Sequence, residues 1–274
     1  MTYILRLAAF TLIVSTNALA VAQPATDKDR PTAVPSESVD EMLKRFVDEC
    51  VAIAPGSDRF PREFEVGEAT PGKLELARQK ATLKHDFRIS KYETTQELYQ
   101  AIQKSNPSRW QGPRNSVENV TWNDAQTFCN KLTQQLRAKK LIIATEVVRL
   151  PTAVEWEYCC RAGSKSRYCF GDTVAAGDSP TGTLDEYAWH TGNAAGNDPA
   201  VGVLKPNAWG LCDVHGYLWE FVSTPDDTKT QRQIRGGSWK DHHSLLTCST
   251  FKPIAGDDKD DAIGFRCVIA VAAK

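Results

Sequence analysis

Downstream of Gly163 few stretches keep a helical or a strand period for long. Gly, Asn and Asp recur there instead, and the whole chain carries seven tryptophans. Such a segment does not read as regular layers. It calls for irregular loops pinned by aromatic side chains, and ordering that much loop needs covalent or metal support against its conformational entropy. Cysteine offers one kind of support: Cys50, Cys129, Cys159, Cys160, Cys169, Cys212, Cys248 and Cys267 make eight. No C-x-x-C spacing occurs, which speaks against a zinc ribbon or a thioredoxin-like motif. An even number suits disulfides in an oxidising compartment, although spacing alone does not choose the pairs.

The N terminus addresses the compartment. MTYILRLAAFTLIVSTNALAVAQ has one basic residue, Arg6, an apolar run from Leu7 to Val14, and Ala18, Ala20 and Ala22 at A-x-A spacing. This pattern predicts a signal peptide over residues 1–22, hence a periplasmic or secreted protein. The apolar run falls short of the roughly 20 residues that span a bilayer, so no membrane insertion is expected. Lys plus Arg (33) and Asp plus Glu (34) nearly cancel. Without a strong field of either sign, nucleic acid and anionic membrane surfaces are excluded as expected partners.

Residues 23–38, rich in Pro, Ser, Thr and charge, read as a linker. Ser38 then caps a short amphipathic helix over 39–49, with Val39, Met42, Leu43, Phe46 and Val47 at helical spacing. Short strands follow in CVAIAPGS, REFEVG and HDFRISKYE. A helix starting at Thr94 or Thr95 covers QELYQAIQ. Another starts near Asn123, its stripe being Ala125, Phe128, Cys129, Leu132 and Leu136. Thr152 and Glu155 form a capping box for a third. No internal repeat is present, so residues 50–272 read as one domain.

Several motifs stand in fixed order: VTWNDAQTFCNKL, RLPTAVEWEYCCRAG, YCFGD, PNAWGLCDVHGYLWEF, RGGSW and GFRC. The series resembles the sulfatase-modifying-factor domain, the family of the formylglycine-generating enzyme. The resemblance implies an α+β, irregular C-type-lectin-like fold with low regular secondary structure. It also implies two disulfides, Cys129 with Cys267 and Cys160 with Cys248, each closing a long loop and contributing about 4 kcal/mol in chain-entropy terms. Cys169 with Cys212 is a weaker third pairing, and Cys50 and Cys159 stay unassigned.

The same resemblance implies a structural calcium held by Asp213, Gly216, Leu218 and Glu220, with Asn193 a weak candidate for a second. Hard oxygen donors around a glycine turn suit calcium. Tyr217 stands where the family usually has Asn. Family enzymes also carry two cysteines between GGS and the disulfide cysteine, and these bind Cu(I) for the oxidation of a substrate cysteine to formylglycine. Here that interval, WKDHHSLLT, has no cysteine, so copper is not expected. His243 falls at the place of the second family thiol, beside Asp241 and His242.

An extended segment would put Asp241 and His243 on one face, open to a metal with His215 or His190 as a further ligand. Ser238 matches a family active-site serine, but no third group completes a Ser/His/acid arrangement with His243. Ser238, Asp241 and His243 are therefore the catalytic candidates. Trp219, Trp239 and His242 are the candidates for lining a groove. The expected function is an exported, non-copper member of the fold that binds a protein or a small molecule. The competing expectation is a divergent metal-dependent oxidoreductase related to the formylglycine-generating enzyme.

Overall fold

A computed structural model describes residues 37–175, 182–194, 198–225 and 231–272. The signal peptide and nearly all of the linker expected from the sequence lie outside the described residues. Among those described, no helix is long and apolar enough to cross a membrane.

Helix starts follow the caps in the sequence. Helix α1 spans Val39–Asp48, with the Ser38 side chain accepting from the Glu41 amide and the Glu41 carboxylate returning to the Ser38 amide. Helix α2 spans Gln96–Gln103 after Thr95, and α3 spans Trp122–Ala138. Thr121 and Asp124 give α3 a capping box, so the helix starts at Trp122, one residue before the expected start near Asn123. Helix α4, Ala153–Arg161, carries the box of Thr152 and Glu155 as expected. Each box satisfies amides that the first helical turn leaves without partners.

The helices pack on a four-stranded sheet in the order β1 (Cys50–Ile53), β4 (Phe87–Ser90), β12 (Val268–Val271), β5 (Glu146–Arg149). A hairpin of β2 (Glu63–Val66) and β3 (Gln79–Thr82) lies beside it in sequence. All the neighbours in the four-stranded sheet are antiparallel. Leu43 and Phe46 of α1 enter the same core as Phe128 and Leu132 of α3, Phe221 and Phe265. The first helix is thereby built into the domain. Tyr99 stacks on Phe128 at 5.4 Å, and Phe265 meets Phe128 edge-on at 5.3 Å.

The later half is irregular, as the sequence requires. Its regular parts are a parallel pair, β6 (Ala188–Trp189) with β7 (His215–Gly216), and a second four-stranded sheet. That sheet runs β10 (Phe251–Ala255), β9 (Gln231–Arg235), β8 (Trp219–Val222), β11 (Ile263–Gly264). Pro253 is tolerated because β10 is an edge strand. Side-chain polar groups hold the loops between these strands. The Asn207 amide donates to the carbonyls of Cys159 and Cys160 and accepts from the amides of Trp209 and Leu211. Arg161, buried at the end of α4, reaches Glu157, Glu68 and the Gly67 carbonyl. Irregular backbone is thus satisfied without regular layers.

Candidate functional site

A cleft of about 370 Å³ opens on the second sheet. Strand β8 contributes Trp219, the edge strand β10 contributes Lys252 and Ile254, the segment leading into β11 contributes Lys259 and Asp260, and β11 contributes Ile263. Its remaining wall is the turn after β9. Gly236 and Gly237 have φ of 97° and 74°, a region that disfavours side chains, and a Cβ on Gly237 would sit 2.8 Å from Leu246. This double glycine turns the chain back so that Ser238 and Asp241 reach the cleft.

Asp241 is anchored on three sides. One carboxylate oxygen accepts the Trp219 indole N–H at 2.8 Å, the Ser238 amide at 3.0 Å and the Ser238 hydroxyl. The Asp241 amide donates back to the Ser238 carbonyl at 3.0 Å, closing the turn. Ser238 therefore spends its hydroxyl on a carboxylate, and no histidine partners it. A carboxylate tied to three donors is a fixed negative wall.

The histidines are placed elsewhere. His242 caps a short 3-10 turn, His243–Leu245, and its ring lies 3.9 Å from that of His243. Neither lines the cleft, and the same holds for Trp239, whose indole donates to the Asp261 carbonyl at 3.2 Å. Burial, with His242 and His190 nearby, holds His243 below the ordinary histidine range. His190 is paired with Asp185 at 2.7 Å, and His215 with the Leu246 carbonyl at 2.7 Å. The structure does not gather Asp241, His243 and either of these around one point. The physical reason is that residues 238–246 form two successive tight turns rather than an extended segment, so alternate residues no longer share a face.

Two of the cysteine pairs lie side by side, and all eight cysteines are free. Cys129 of α3 and Cys267 before β12 lie with sulfurs 3.8 Å apart in the apolar core. Cys160 of α4 and Cys248 are both fully buried and share a neighbour, His215. Burial alone would raise the Cys248 thiol, but hydrogen bonding with Cys160 and His215 brings it down to about 6. Cys169 also faces His215 and Cys160, whereas Cys212 lies beside Lys91 and Asp213. Cys50 donates to the Phe46 carbonyl.

The residues nominated for calcium are brought to one buried corner, with different partners. Both oxygens of Glu220 are used: Arg266 binds bidentately at 2.7 Å, and the Trp156 indole donates at 2.8 Å. Asp213 accepts from the Gly202 amide at 2.7 Å, and burial raises its pKa to about 6. Glu93, which carried no signal in the sequence beyond its place before a helix, accepts from the Leu218 amide and the Ser116 hydroxyl. Burial, then Glu220 and Asp213, pushes Glu93 well above the carboxylate range. Three buried carboxylates thus face one guanidinium. The oxygen donor set suits a hard cation, although Oε2 of Glu220 is shared by two donors and Oε1 is held by Arg266. Tyr217, at a φ of 63° where the family's Asn would be at ease, is held by its hydroxyl donating to the Pro199 carbonyl. The Asn193 side chain accepts from the His190 amide and donates to the Ala188 carbonyl.

Capped helices on one sheet, a second sheet with a cleft, and loops closed by buried polar side chains define the irregular α+β class of the C-type-lectin-like kind. A family model described as the sulfatase-modifying factor enzyme 1-like domain matches residues 36–271, and the chain belongs to that family. Chaperone protein LppX of Paenibacillus barcinonensis is 31% identical over 201 residues, covering 56% of this chain and 69% of that protein. Inactive C-alpha-formylglycine-generating enzyme 2 of Bos taurus is 30% identical over 168 residues, covering 55% of this chain but only 49% of that protein. Treponema denticola variable protein 1 superposes with a TM-score of 0.66 at 23% identity, covering 81% of this chain and 95% of that one, a likeness of fold.

Proposed function

We propose that this chain is a non-copper binding member of its family, exported by its N-terminal segment, whose cleft takes a segment of another polypeptide. The observation that carries this reading is the Asp241 carboxylate, fixed by Trp219 and Ser238 on the stretch where the resemblance puts copper thiols. A carboxylate is a hard donor and a poor substitute for thiolate on Cu(I). Trp219, Ile254 and Ile263 give the cleft an apolar floor, while Lys240, Lys252, Lys259, Asp258 and Asp260 give it a rim of both signs. An apolar anchor with charged neighbours is the chemistry that a polypeptide segment offers. Relatives named as an inactive formylglycine-generating enzyme and as a chaperone support binding over oxidation.

The competing oxidoreductase needs Asp241 and His243 on one ion, and the two turns part them. A test is binding of charged, unstructured peptides to the full chain and to a Lys252→Glu/Lys259→Glu variant. Roughly tenfold weaker binding by the variant is expected, since rim charges set encounter and register. Equal binding would remove the cleft from the proposal.

Two supports belong to the same reading. A disulfide between Cys129 and Cys267 would tie α3 to β12, and a calcium ion at the acidic corner would use Asp213 and Glu93 with main-chain oxygens at Gly216 and Leu218. Both are read by thermal melts: calcium should raise the midpoint over chelator, and reductant should lower it. A midpoint indifferent to either agent removes that support.

A further inference from the structure

We propose that Cys160, Cys248, His215 and Cys169 form a closed soft-metal site for one zinc ion, separate from the cleft and from the acidic corner. Donor atoms of Cys160, His215 and Cys248 all lie within 4.8 Å of one another, and all three residues are buried. Among the described residues this is the one such group of three or more His, Cys, Asp or Glu donors. In tetrahedral zinc, sulfur sits about 3.6 Å from nitrogen and about 3.8 Å from a second sulfur. The Cys160 sulfur is 3.9 Å from Nδ1 and 4.0 Å from Nε2 of His215, so ligation through Nε2 needs a rotation of the ring as well as a shift of a few tenths of an ångström.

His215 has the second hydrogen bond that a ligating histidine needs. Its Nδ1 donates to the Leu246 carbonyl at 2.7 Å, which fixes the tautomer and makes Nε2 the acceptor of the ring. Nε2 accepts from the Cys169 amide at 3.1 Å, a hydrogen bond that the ion would displace, and the side chains of Cys169 and Cys248 both reach the ring. Cys169 rides on a tight turn closed by reciprocal hydrogen bonds between Tyr168 and Gly171. The Cys248 amide donates to the Arg167 carbonyl at 2.8 Å, tying that turn to the neighbourhood of Cys248. Tyr168 and Phe170 stand edge-on to the His215 ring at 5.6 and 5.8 Å and wall the site from water.

Cys169 lies outside that cluster of three but its side chain reaches the His215 ring, and being half-buried it can close on the ion as the fourth ligand and give it a way in. On binding, the thiol protons leave to solvent and three thiolates with one neutral imidazole complete the shell. The four ligands come from α4, the YCFGD turn, β7 and the segment before β10. One ion would therefore staple four stretches of the irregular half, where structural support is most needed. A disulfide between Cys160 and Cys248 would consume the same sulfurs, so the two arrangements exclude each other.

The test is zinc content and Co²⁺ titration of the full chain, purified anaerobically under reductant and freed of it before analysis. One zinc per chain, a cobalt–thiolate charge-transfer band, and protection of Cys248 from alkylation by zinc are expected. Cys169→Ser, half-exposed and thus safe for folding, should weaken zinc roughly tenfold or more, while Cys50→Ser leaves it unchanged. Zinc uptake unaltered in Cys169→Ser, or absent from the reduced chain, would overturn the site. A Cys160–Cys248 disulfide forming as fast with zinc present as without it would do the same.

Discussion

Glu220 shows how a residue's environment redirects a role that its position implies. In sequence it is a carboxylate after a glycine turn, apt for calcium; in the structure it is the counter-charge of Arg266, which is 1% exposed. Burying a guanidinium demands a partner of this kind. Glu220→Gln is therefore expected to cost about 3–5 kcal/mol, because it leaves Arg266 charged and underpaired, with chemical denaturation as the measurement. A loss below about 1 kcal/mol would show that Arg266 has solvent or another carboxylate to turn to. Asp241 and His243 teach the same lesson. Their types were legible, but the direction of each side chain depends on turns set by Gly236, Gly237 and Ser238. Glu93 was illegible as a buried acid because nothing in KYETT distinguishes a buried glutamate from a solvated one.

At the scale of elements, what the sequence declared best were helices with side-chain caps. Ser38, Thr152 and the stripe of α3 carry local chemistry that needs no tertiary information. Strands β3 and β5 carried no such mark, since QKAT and EVVR are four residues long and owe their existence to their partners, which for β5 is β12, distant in sequence. Loop contacts were equally hidden. Glu75 accepts from the Gly72 amide and from the Thr247 and Ser249 hydroxyls and pairs with Arg167, pinning the 72–76 loop to the segment before β10. Burial alone would raise its pKa, but these donors outweigh it and hold it below the usual 4.5. A lowered folded pKa means the contribution is present above about pH 4.5 and lost as pH falls through the folded value. Stability measured across the acid range should therefore fall less steeply in Glu75→Gln than in the parent. Parallel acid limbs would mean that the carboxylate gains nothing from these donors.

Over the whole molecule, the absence of long periodic runs beyond Gly163 foretold the architecture, and the ordered motifs placed the chain in its family. Fold was legible because it rests on many small, redundant signals. The site was less so, because function in this scaffold turns on a few side chains in loops whose paths the sequence does not spell out. The central claim is that the scaffold persists while the copper chemistry is gone. The most direct measurement is to incubate the full chain with copper, oxygen and a peptide containing C-x-P-x-R, then follow the cysteine by mass spectrometry. The account expects the peptide to keep its thiol or only dimerise through it, with no aldehyde. Catalytic conversion to formylglycine would contradict it and return Ser238, Asp241 and their neighbours to an active site.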